Sequence, residues 1–409
     1  MKTQRTGHRT MAIAVGLVLV AATTLAAQDW PQWLGPNRDG KAAGFKAPAT
    51  WPKELVQKWK VTLGPGDATP ALANGKLYVF ARDEGGEITV CLDADTGKEL
   101  WRDKYDALPA QEPMGKHPGP RSSPAVAAGK VVTYGVRGTL SCLDAATGKM
   151  LWRRDDAAGA WPRFFTGSSP LILDGVCVMQ IGSEEKGVTI AYDLATGEPK
   201  WKWSDDGSAY SSPVVLTLNG AKIIAAVSSK RLVGLGLADG KLLWDTPFAP
   251  PSRAYNASTP IVDGQTVIWA GSGRGTKAAK VEKTGDQLAL KELWSNPDNA
   301  VQFNTPVLKG GQLYGLSQAG ALFCLDAQSG KTLWTAPVGG RDFGSVVDAG
   351  PVLLVLTPQG ELMVVEPSDK EFKKLAGYKV GADTYACPVA AGNRVFVKDK
   401  DSVTAWSVE

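Results

Sequence analysis

One eleven-residue pattern recurs along this chain and constrains its fold more than any other feature. The clearest copies lie at 91–101, 142–152 and 324–334 and read Cys-Leu-Asp-Ala-x-Thr/Ser-Gly-Lys-x-Leu-Trp. Aspartate accepts hydrogen bonds from nearby backbone amides and glycine takes a positive φ without strain, so the centre of the pattern predicts a tight turn between two strands. A hairpin that recurs along a chain predicts repeat units that stack or close into a ring.

Each repeat carries further turn signals around this hairpin. In the second repeat, turns at 128–129, 137–138 and 147–148 separate short apolar runs. Three turns predict four antiparallel strands. A proline marks the start of the first strand in most repeats, where it is tolerated because no ladder donor is needed. These Ser-Pro or Thr-Pro dipeptides lie at 69–70, 123–124, 169–170, 212–213, 259–260 and 305–306, with Cys-Pro at 387–388.

A tryptophan ends the pattern and marks the fourth strand of each repeat. The series comprises Trp59, Trp101, Trp152, Trp201, Trp244, Trp294 and Trp334. Its spacing of 40 to 51 residues suits one four-stranded propeller blade per repeat. We predict that these rings pack on the neighbouring blade and have a structural role. In the seventh repeat, Leu375 is expected to occupy the tryptophan position.

An N-terminal strand is predicted to close the ring. The last repeat, from 384 to 409, has three strands only, and the strand at 55–62 carries Trp59 where a fourth strand requires it. The sequence therefore predicts an all-β fold over 55–409, an eight-bladed β-propeller of four-stranded antiparallel blades. Seven blades are the alternative. Closure by the first strand leaves no open edge between the first and last blades.

The residues before the propeller are predicted to be a leader and a surface segment. Residues 1–27 combine a basic start, an apolar run and a small-residue end, which is typical of a signal peptide cleaved near Ala27. Residues 28–54 are predicted to run over the surface, pinned by Trp30 and Trp33. The protein is therefore expected to be periplasmic or extracellular, without a membrane anchor.

Charge limits the kinds of partner. The formal net charge is +4, and much of it belongs to the predicted leader. A nearly neutral protein without basic runs is not expected to bind nucleic acid. The chain is expected to be monomeric, with a protein partner or a small molecule as its ligand.

The repeats resemble those of the pyrroloquinoline quinone (PQQ)-type β-propeller superfamily, on the basis of Leu-Asp-Ala-x-Thr-Gly-Lys-x-x-Trp. The opening Asp-Trp-Pro-Gln-Trp-Leu-Gly-Pro at 29–36 also resembles the start of secreted bacterial members. In size, the chain is similar to the propeller lipoprotein of the outer-membrane β-barrel assembly machine, which implies a non-catalytic scaffold. The blade pattern also resembles that of quinoprotein dehydrogenases, which implies a PQQ-dependent alcohol or sugar dehydrogenase as the alternative.

The residues favour the scaffold over the dehydrogenase. The dehydrogenase branch uses two adjacent cysteines beside its cofactor, and this chain has no such pair. His117 is the only histidine beyond the predicted leader, which excludes a multi-histidine metal site, and it is expected to lie exposed in a loop. No catalytic residue, metal ligand or cofactor is therefore assigned. PQQ with calcium is the alternative.

The links that precede the first strand of each blade are the candidate binding residues. In a propeller these links meet on one face near the central axis, where arginine and aromatic side chains suit a planar or anionic ligand or a partner peptide. Packing of the channel mouth is the other interpretation, and carbohydrate binding is a further alternative function. The candidates are Arg121, Arg163, Phe165, Tyr210, Arg253, Tyr255, Asn256, Phe303, Asn304, Arg341, Phe343 and Tyr385.

Overall fold

The computed structural model describes residues 29–409 except 158, 253, 286 and 340–342, so the predicted signal peptide lies outside the described residues. In this part of the chain, no helix is long and apolar enough to cross a membrane. The described residues form the strands β1 (Val56–Thr62), β2 (Ala71–Ala73), β3 (Lys76–Asp83), β4 (Gly86–Asp93), β5 (Glu99–Asp106), β6 (Ala125–Ala127), β7 (Lys130–Tyr134), β8 (Leu140–Asp144), β9 (Met150–Arg154), β10 (Leu171–Leu173), β11 (Val176–Ile181), β12 (Val188–Asp193), β13 (Pro199–Trp203), β14 (Val214–Leu218), β15 (Ala221–Val227), β16 (Arg231–Gly236), β17 (Leu242–Pro247), β18 (Ile261–Asp263), β19 (Thr266–Gly271), β20 (Gly275–Thr284), β21 (Gln287–Asn296), β22 (Val307–Lys309), β23 (Gln312–Leu316), β24 (Ala321–Asp326), β25 (Thr332–Pro337), β26 (Ser345–Asp348), β27 (Leu353–Leu356), β28 (Glu361–Val365), β29 (Lys374–Lys379), β30 (Val389–Ala391), β31 (Arg394–Lys398) and β32 (Ser402–Ser407).

These strands form eight four-stranded antiparallel blades of one propeller. Blades one to seven use consecutive strands, from β2–β5 to β26–β29, and blade eight joins β30, β31 and β32 to β1. In blade eight, Trp59 lies opposite Ala405 and Val61 opposite Val403. The predicted eight blades and the closure by the N-terminal strand are confirmed, and the seven-bladed alternative is wrong. The links entering each innermost strand lie on one face, here called the mouth face, because strand directions alternate.

The repeated turn holds adjacent blades together. In blade two, Asp144 Oδ1 accepts hydrogen bonds from the amides of Ala146 (3.1 Å) and Thr147 (2.8 Å) and from Thr147 Oγ1 (2.8 Å). The bonds from Thr147 hold the pKa of Asp144 below its ordinary value. Gly148, at φ +75°, packs its backbone directly against the ring of Trp101 in blade one. A Cβ at this position would lie 2.5 Å from that ring, so a larger residue does not fit without a shift.

Most of the repeated tryptophans also donate Nε1–H to a backbone carbonyl of the next blade. The pairs, at 2.8–3.2 Å, are Trp59 with Ala94, Trp101 with Ala145, Trp152 with Leu194, Trp201 with Leu237, Trp294 with Ala327 and Trp334 with Ser368. Trp244 differs, since its Nε1 has no partner among the described residues. Blade five carries the long hairpin β20–β21 in place of the short turn that would supply the carbonyl.

Two glycines of blade two should respond differently to substitution. Gly129, at φ +72°, has nothing within 4 Å of a built Cβ, whereas a Cβ on Gly148 meets Trp101. Both alanine variants incur a left-handed backbone cost of about 1–2 kcal/mol, but only Gly148→Ala displaces a ring. We expect Gly148→Ala to lower the free energy of unfolding by about 2 kcal/mol more than Gly129→Ala in urea titrations. Equal losses would contradict the interblade contact.

Blade seven differs from the prediction in one position. The cross-strand register pairs Cys324 with Trp334 in blade six and Val364 with Ala376 in blade seven. Ala376, and not Leu375, therefore occupies the tryptophan position, and Leu375 is 40% exposed. The prediction was wrong by one residue, because the same bulge occurs in both blades and aligns Leu375 with Leu333, the residue before Trp334.

A belt of side-chain hydroxyls surrounds the channel where the innermost strands begin. The backbone amide of Ser123 donates to Ser169 Oγ (2.9 Å), that of Ser169 to Ser212 Oγ (2.9 Å), and that of Thr259 to Thr305 Oγ1 (3.0 Å). We call the equivalent residues of the eight blades the girdle. Its members are Thr69, Ser123, Ser169, Ser212, Thr259, Thr305, Ser345 and Cys387. The recurring Ser/Thr-Pro dipeptides thus supply hydrogen bonds between blades as well as strand starts.

Residues 29–46 of the N-terminal segment run inside the ring and not over the surface as predicted, whereas residues 49, 50, 53 and 54 are exposed. Trp30 is 1% exposed and forms a bridge with Leu72 of blade one. Arg38, 3% exposed, donates to the carbonyls of Pro213 (2.7 Å), Ser169 and Pro170 of blades four and three. Further contacts to innermost strands and their turns are Pro31 with Val126, Trp33 with Thr259, Lys41 with Asp348 and Lys46 with Gly392, and Gly40 lies beside Val307. This segment therefore touches all eight blades.

A buried lysine links blade eight to the segment between β1 and β2. Lys398 is 1% exposed, and its Nζ donates to the carbonyls of Asp399 (2.7 Å), Lys400 (3.1 Å) and Gly64 (3.3 Å). Burial lowers the pKa of Lys398 to about 8. An unfolded lysine titrates near ~10.4, so the unfolded chain binds more protons between these two values, and stability should rise with pH there.

We compare the wild type with Lys398→Met. The difference between their free energies of unfolding should change in favour of the wild type by up to about 1.4 kcal/mol per pH unit above about pH 8. Urea titrations of both proteins at pH 7, 8, 9 and 10 measure this difference. The variant removes the titrating group and keeps most of its volume, so it cancels other pH effects. A difference that does not change with pH would contradict the assignment.

Candidate functional site

Every blade contributes one residue, two positions before its girdle residue, to the wall of a single cavity at the mouth face. These residues are Asp67, Arg121, Gly167, Tyr210, Ala257, Phe303, Phe343 and Tyr385. The cavity has a volume of about 260 Å³. Trp33 lies at its base beside the girdle, where its Nε1–H donates to Thr259 Oγ1 at 2.9 Å. The N-terminal segment therefore forms part of the cavity.

Aromatic side chains from blades three to eight follow one another around this cavity, and we call them the aromatic arc. Ring centroids from adjacent blades lie 4.1–6.3 Å apart, and Phe303 stacks on Phe343 with an interplanar angle of 6°. Such distances are favourable for aromatic pairs. His117 extends the arc by an edge contact with Tyr385 at 4.7 Å. The arc comprises Phe164, Tyr210, Tyr255, Phe303, Phe343 and Tyr385.

Half of the candidate residues from the sequence come together here. Arg121, Tyr210, Tyr255, Phe303, Phe343 and Tyr385 line the cavity. Phe165 does not, because it is 5% exposed and stacks on Trp161 at 5.8 Å. Its neighbour Phe164 takes the place in the arc. In blade three the wall position is Gly167, which lies against the side chain of Tyr210, and Phe164 of the same link supplies the aromatic ring.

The other candidates lie elsewhere or outside the described residues. Asn256 is buried, and its Nδ2 donates to the carbonyls of Ser228 (2.8 Å) and Ser229 (3.1 Å), so it joins two loops. Asn304 Nδ2 likewise donates to the carbonyl of Leu316 at 2.9 Å. Arg163 is exposed, with its guanidinium 5.3 Å from the Phe164 ring. Arg253 and Arg341 lie outside the described residues.

Asp67, His117 and Arg121 form the polar side of the cavity. His117 Nδ1 lies 3.2 Å from Asp67 Oδ2, and Arg121 Nη2 donates to the carbonyl of His117 at 2.8 Å. Nε and Nη1 of Arg121 are buried and have no hydrogen-bond partner among the described residues. Burial lowers the pKa of Arg121 below its ordinary value, although a guanidinium remains charged at neutral pH.

Sequence reasoning overlooked Asp67, His117 and Trp33. Asp67 was recognisable, because it stands two residues before Thr69 as Tyr210 stands two before Ser212. His117 is half-buried against Tyr385 and not fully exposed as expected. The link that carries it is expected at the mouth face like the other links, but its length has no counterpart in the other blades, so no sequence signal places the ring against Tyr385.

The residues of this cavity do not fit PQQ with calcium. All five cysteines are free and buried, so no disulfide lies beside the cavity. A calcium ion needs several converging oxygen ligands. Within the part of the chain that the structure describes, no group of three or more acidic, histidine or cysteine side chains converges to hold a metal. Among the described residues, Asp67 is the one carboxylate of the cavity wall.

The fold and the repeats define a PQQ-like eight-bladed β-propeller. A family model described as outer membrane protein assembly factor BamB matches residues 84–336, and the chain belongs to this family.

Individual relatives agree with this assignment. The chain is 28% identical to outer membrane protein assembly factor BamB of Yersinia pestis over 284 residues, covering 66% of this chain and 69% of the relative. It is 24% identical to the protein of that name from Burkholderia pseudomallei over 367 residues, covering 85% and 86%. The quinohemoprotein alcohol dehydrogenase structure from Comamonas testosteroni shares the fold, with a TM-score of 0.69, 16% identity and coverage of 95% and 81%.

Proposed function

We propose that this protein is an exported, non-catalytic β-propeller that serves outer membrane protein assembly and binds a protein partner through its mouth face. Membership of the assembly-factor family carries the proposal. The residues at the mouth support the choice of face, because aromatic and arginine side chains are the usual anchors of protein interfaces. The predicted leader agrees with a location in the periplasm.

Site-specific photo-crosslinking in the bacterium that makes the protein tests this function. Positions 163 and 186 are exposed on loops of the mouth face, and position 149 is exposed on the turn of blade two at the opposite face. We expect a photo-crosslinking amino acid at 163 or 186 to trap a component of the outer-membrane assembly machinery, with little adduct from 149. Adducts from 149 alone would place the partner elsewhere, and the absence of any assembly component would overturn the function.

The alternative function is that of a quinoprotein dehydrogenase. The cavity does not support it, because the described residues do not form a calcium site. We expect the purified protein with added PQQ and calcium to leave alcohols and sugars unoxidised in a dye-reduction assay. Sustained turnover with either substrate class would contradict the non-catalytic function.

A further inference from the structure

The loop that leads into blade two completes the wall of the cavity on the side that the aromatic arc leaves open. The arc runs from blade three to blade eight by way of blades four to seven. Met114 and His117 of the loop also line the cavity. Met114 packs against the apolar cluster that contains Phe165 of blade three, and the ring of His117 contacts Tyr385 of blade eight. The loop therefore crosses the sector of blades one and two.

Backbone contacts fix the two ends of this loop. The amide of Ala110 donates to the carbonyl of Pro118 at 3.0 Å, which joins the ends into a neck. The backbone of Gly119 lies directly against the carbonyl of Pro65 and leaves no room there for a Cβ. A compact surface loop with joined ends is an Ω-loop, and loops of this kind are frequently functional.

The tip of the loop, residues 111–117, is held to the blades mainly by side chains, and we call it the lid. The amides of Met114 and His117 donate to carbonyls within the lid. Among the described residues, the hydrogen bonds from the lid to the blades all involve His117. Its Nδ1 lies 3.2 Å from Asp67 Oδ2, and its carbonyl accepts from Arg121 at 2.8 Å. A segment with so few hydrogen bonds to its surroundings opens locally at low cost.

We propose that the lid covers the cavity when no partner is bound and moves away about the neck when an apolar side chain of the partner enters. Burial of such a side chain against the aromatic arc is favourable, because it removes apolar surface from water. The rings of the arc pack on one another and keep their places. The identity of the occupant rests on the proposed function, whereas the lid itself does not.

Thiol labelling of the purified mature protein measures opening of the lid. The five native cysteines are free and buried, so their background is low. Ala257→Cys places a thiol in the cavity wall of blade five, and Lys149→Cys places one on an exposed turn at the opposite face. A bulky neutral maleimide should label position 257 at a rate that follows the population of the open form. The rate at position 149 corrects for general reactivity.

Variants of the lid in the Ala257→Cys protein test how it is held. His117→Leu keeps most of the side-chain volume in the wall and removes the bond to Asp67. We expect it to raise the labelling rate about tenfold, which equals ~1.4 kcal/mol of lost contact. Gln111→Ala is the matched control, because it changes an exposed side chain of the lid and should leave the rate unchanged. Replacement of residues 111–117 by two glycines should give the fastest labelling. Circular dichroism confirms that each variant is folded.

Two results would overturn the lid. One is equal labelling in His117→Leu and Gln111→Ala, and the other is equal labelling with the native loop and with the glycine replacement. Crosslinking from position 163 tests the coupling to the partner, and the glycine replacement should increase the adduct. An unchanged adduct would overturn the role of the lid in partner binding. If neither protein forms an adduct with an assembly component, the proposed function fails, and the labelling result still decides on the lid.

Discussion

Trp152→Ala is expected to lower the free energy of unfolding by about 3–5 kcal/mol. Trp152 is 8% exposed, and its Nε1–H donates to the carbonyl of Leu194 in blade three at 3.1 Å. Its ring covers Gly197 so closely that a Cβ there would lie 2.7 Å away. Alanine at this position therefore leaves a cavity between two blades and an unpaired carbonyl. Urea unfolding followed by circular dichroism measures the loss.

Two further variants of the same strand separate the contribution of the Trp152 ring from that of its hydrogen bond. Trp152→Phe keeps most of the ring and removes the donor, so we expect it to lose about 1–1.5 kcal/mol. Met150→Ala changes a side chain that is 47% exposed and should stay within about 0.5 kcal/mol of the wild type. A loss below about 1 kcal/mol in Trp152→Ala would show that the tryptophans are not the contacts that hold adjacent blades together.

Arg38→Ala is expected to lower the free energy of unfolding by about 3 kcal/mol. Arg38 is the donor for the carbonyls of Ser169, Pro170 and Pro213 at the centre of the ring, and each buried carbonyl left unpaired costs about 1–3 kcal/mol. Loss of the guanidinium relieves part of this cost, because its charge is buried, and burial lowers the pKa of Arg38 to about 9.

Limited proteolysis gives this prediction a second measurement. Release of the N-terminal segment from the ring should expose it to trypsin, so cleavage after Lys41 or Lys46 should be faster in Arg38→Ala. Lys41→Ala is the matched control from the same segment, compared with Arg38→Ala at the Lys46 site only because it lacks the other site. Lys41 forms an ion pair with Asp39 at 3.8 Å that is partly solvated and worth less than about 1 kcal/mol. Unchanged stability and unchanged cleavage in Arg38→Ala would show that the segment is not anchored by this side chain.

The candidate site could be predicted in part from the sequence, because the girdle residues give a fixed reference point in each repeat. Counting two residues back from them finds Arg121, Tyr210, Phe303, Phe343 and Tyr385. The choice between Phe164 and Phe165 was not readable. Phe165 adopts a positive φ of 65°, and which of two adjacent rings faces the channel depends on that local backbone conformation.

By itself, the sequence determined the propeller, its eight blades and their closure by the first strand, because each blade is a set of local hairpins whose turn residues recur. The tertiary structure alone decided that the segment carrying Trp33 and Arg38 runs through the ring. It also decided that His117 completes the aromatic arc. These placements depend on side chains from many blades meeting at the axis, and such contacts leave no periodic signal along the chain.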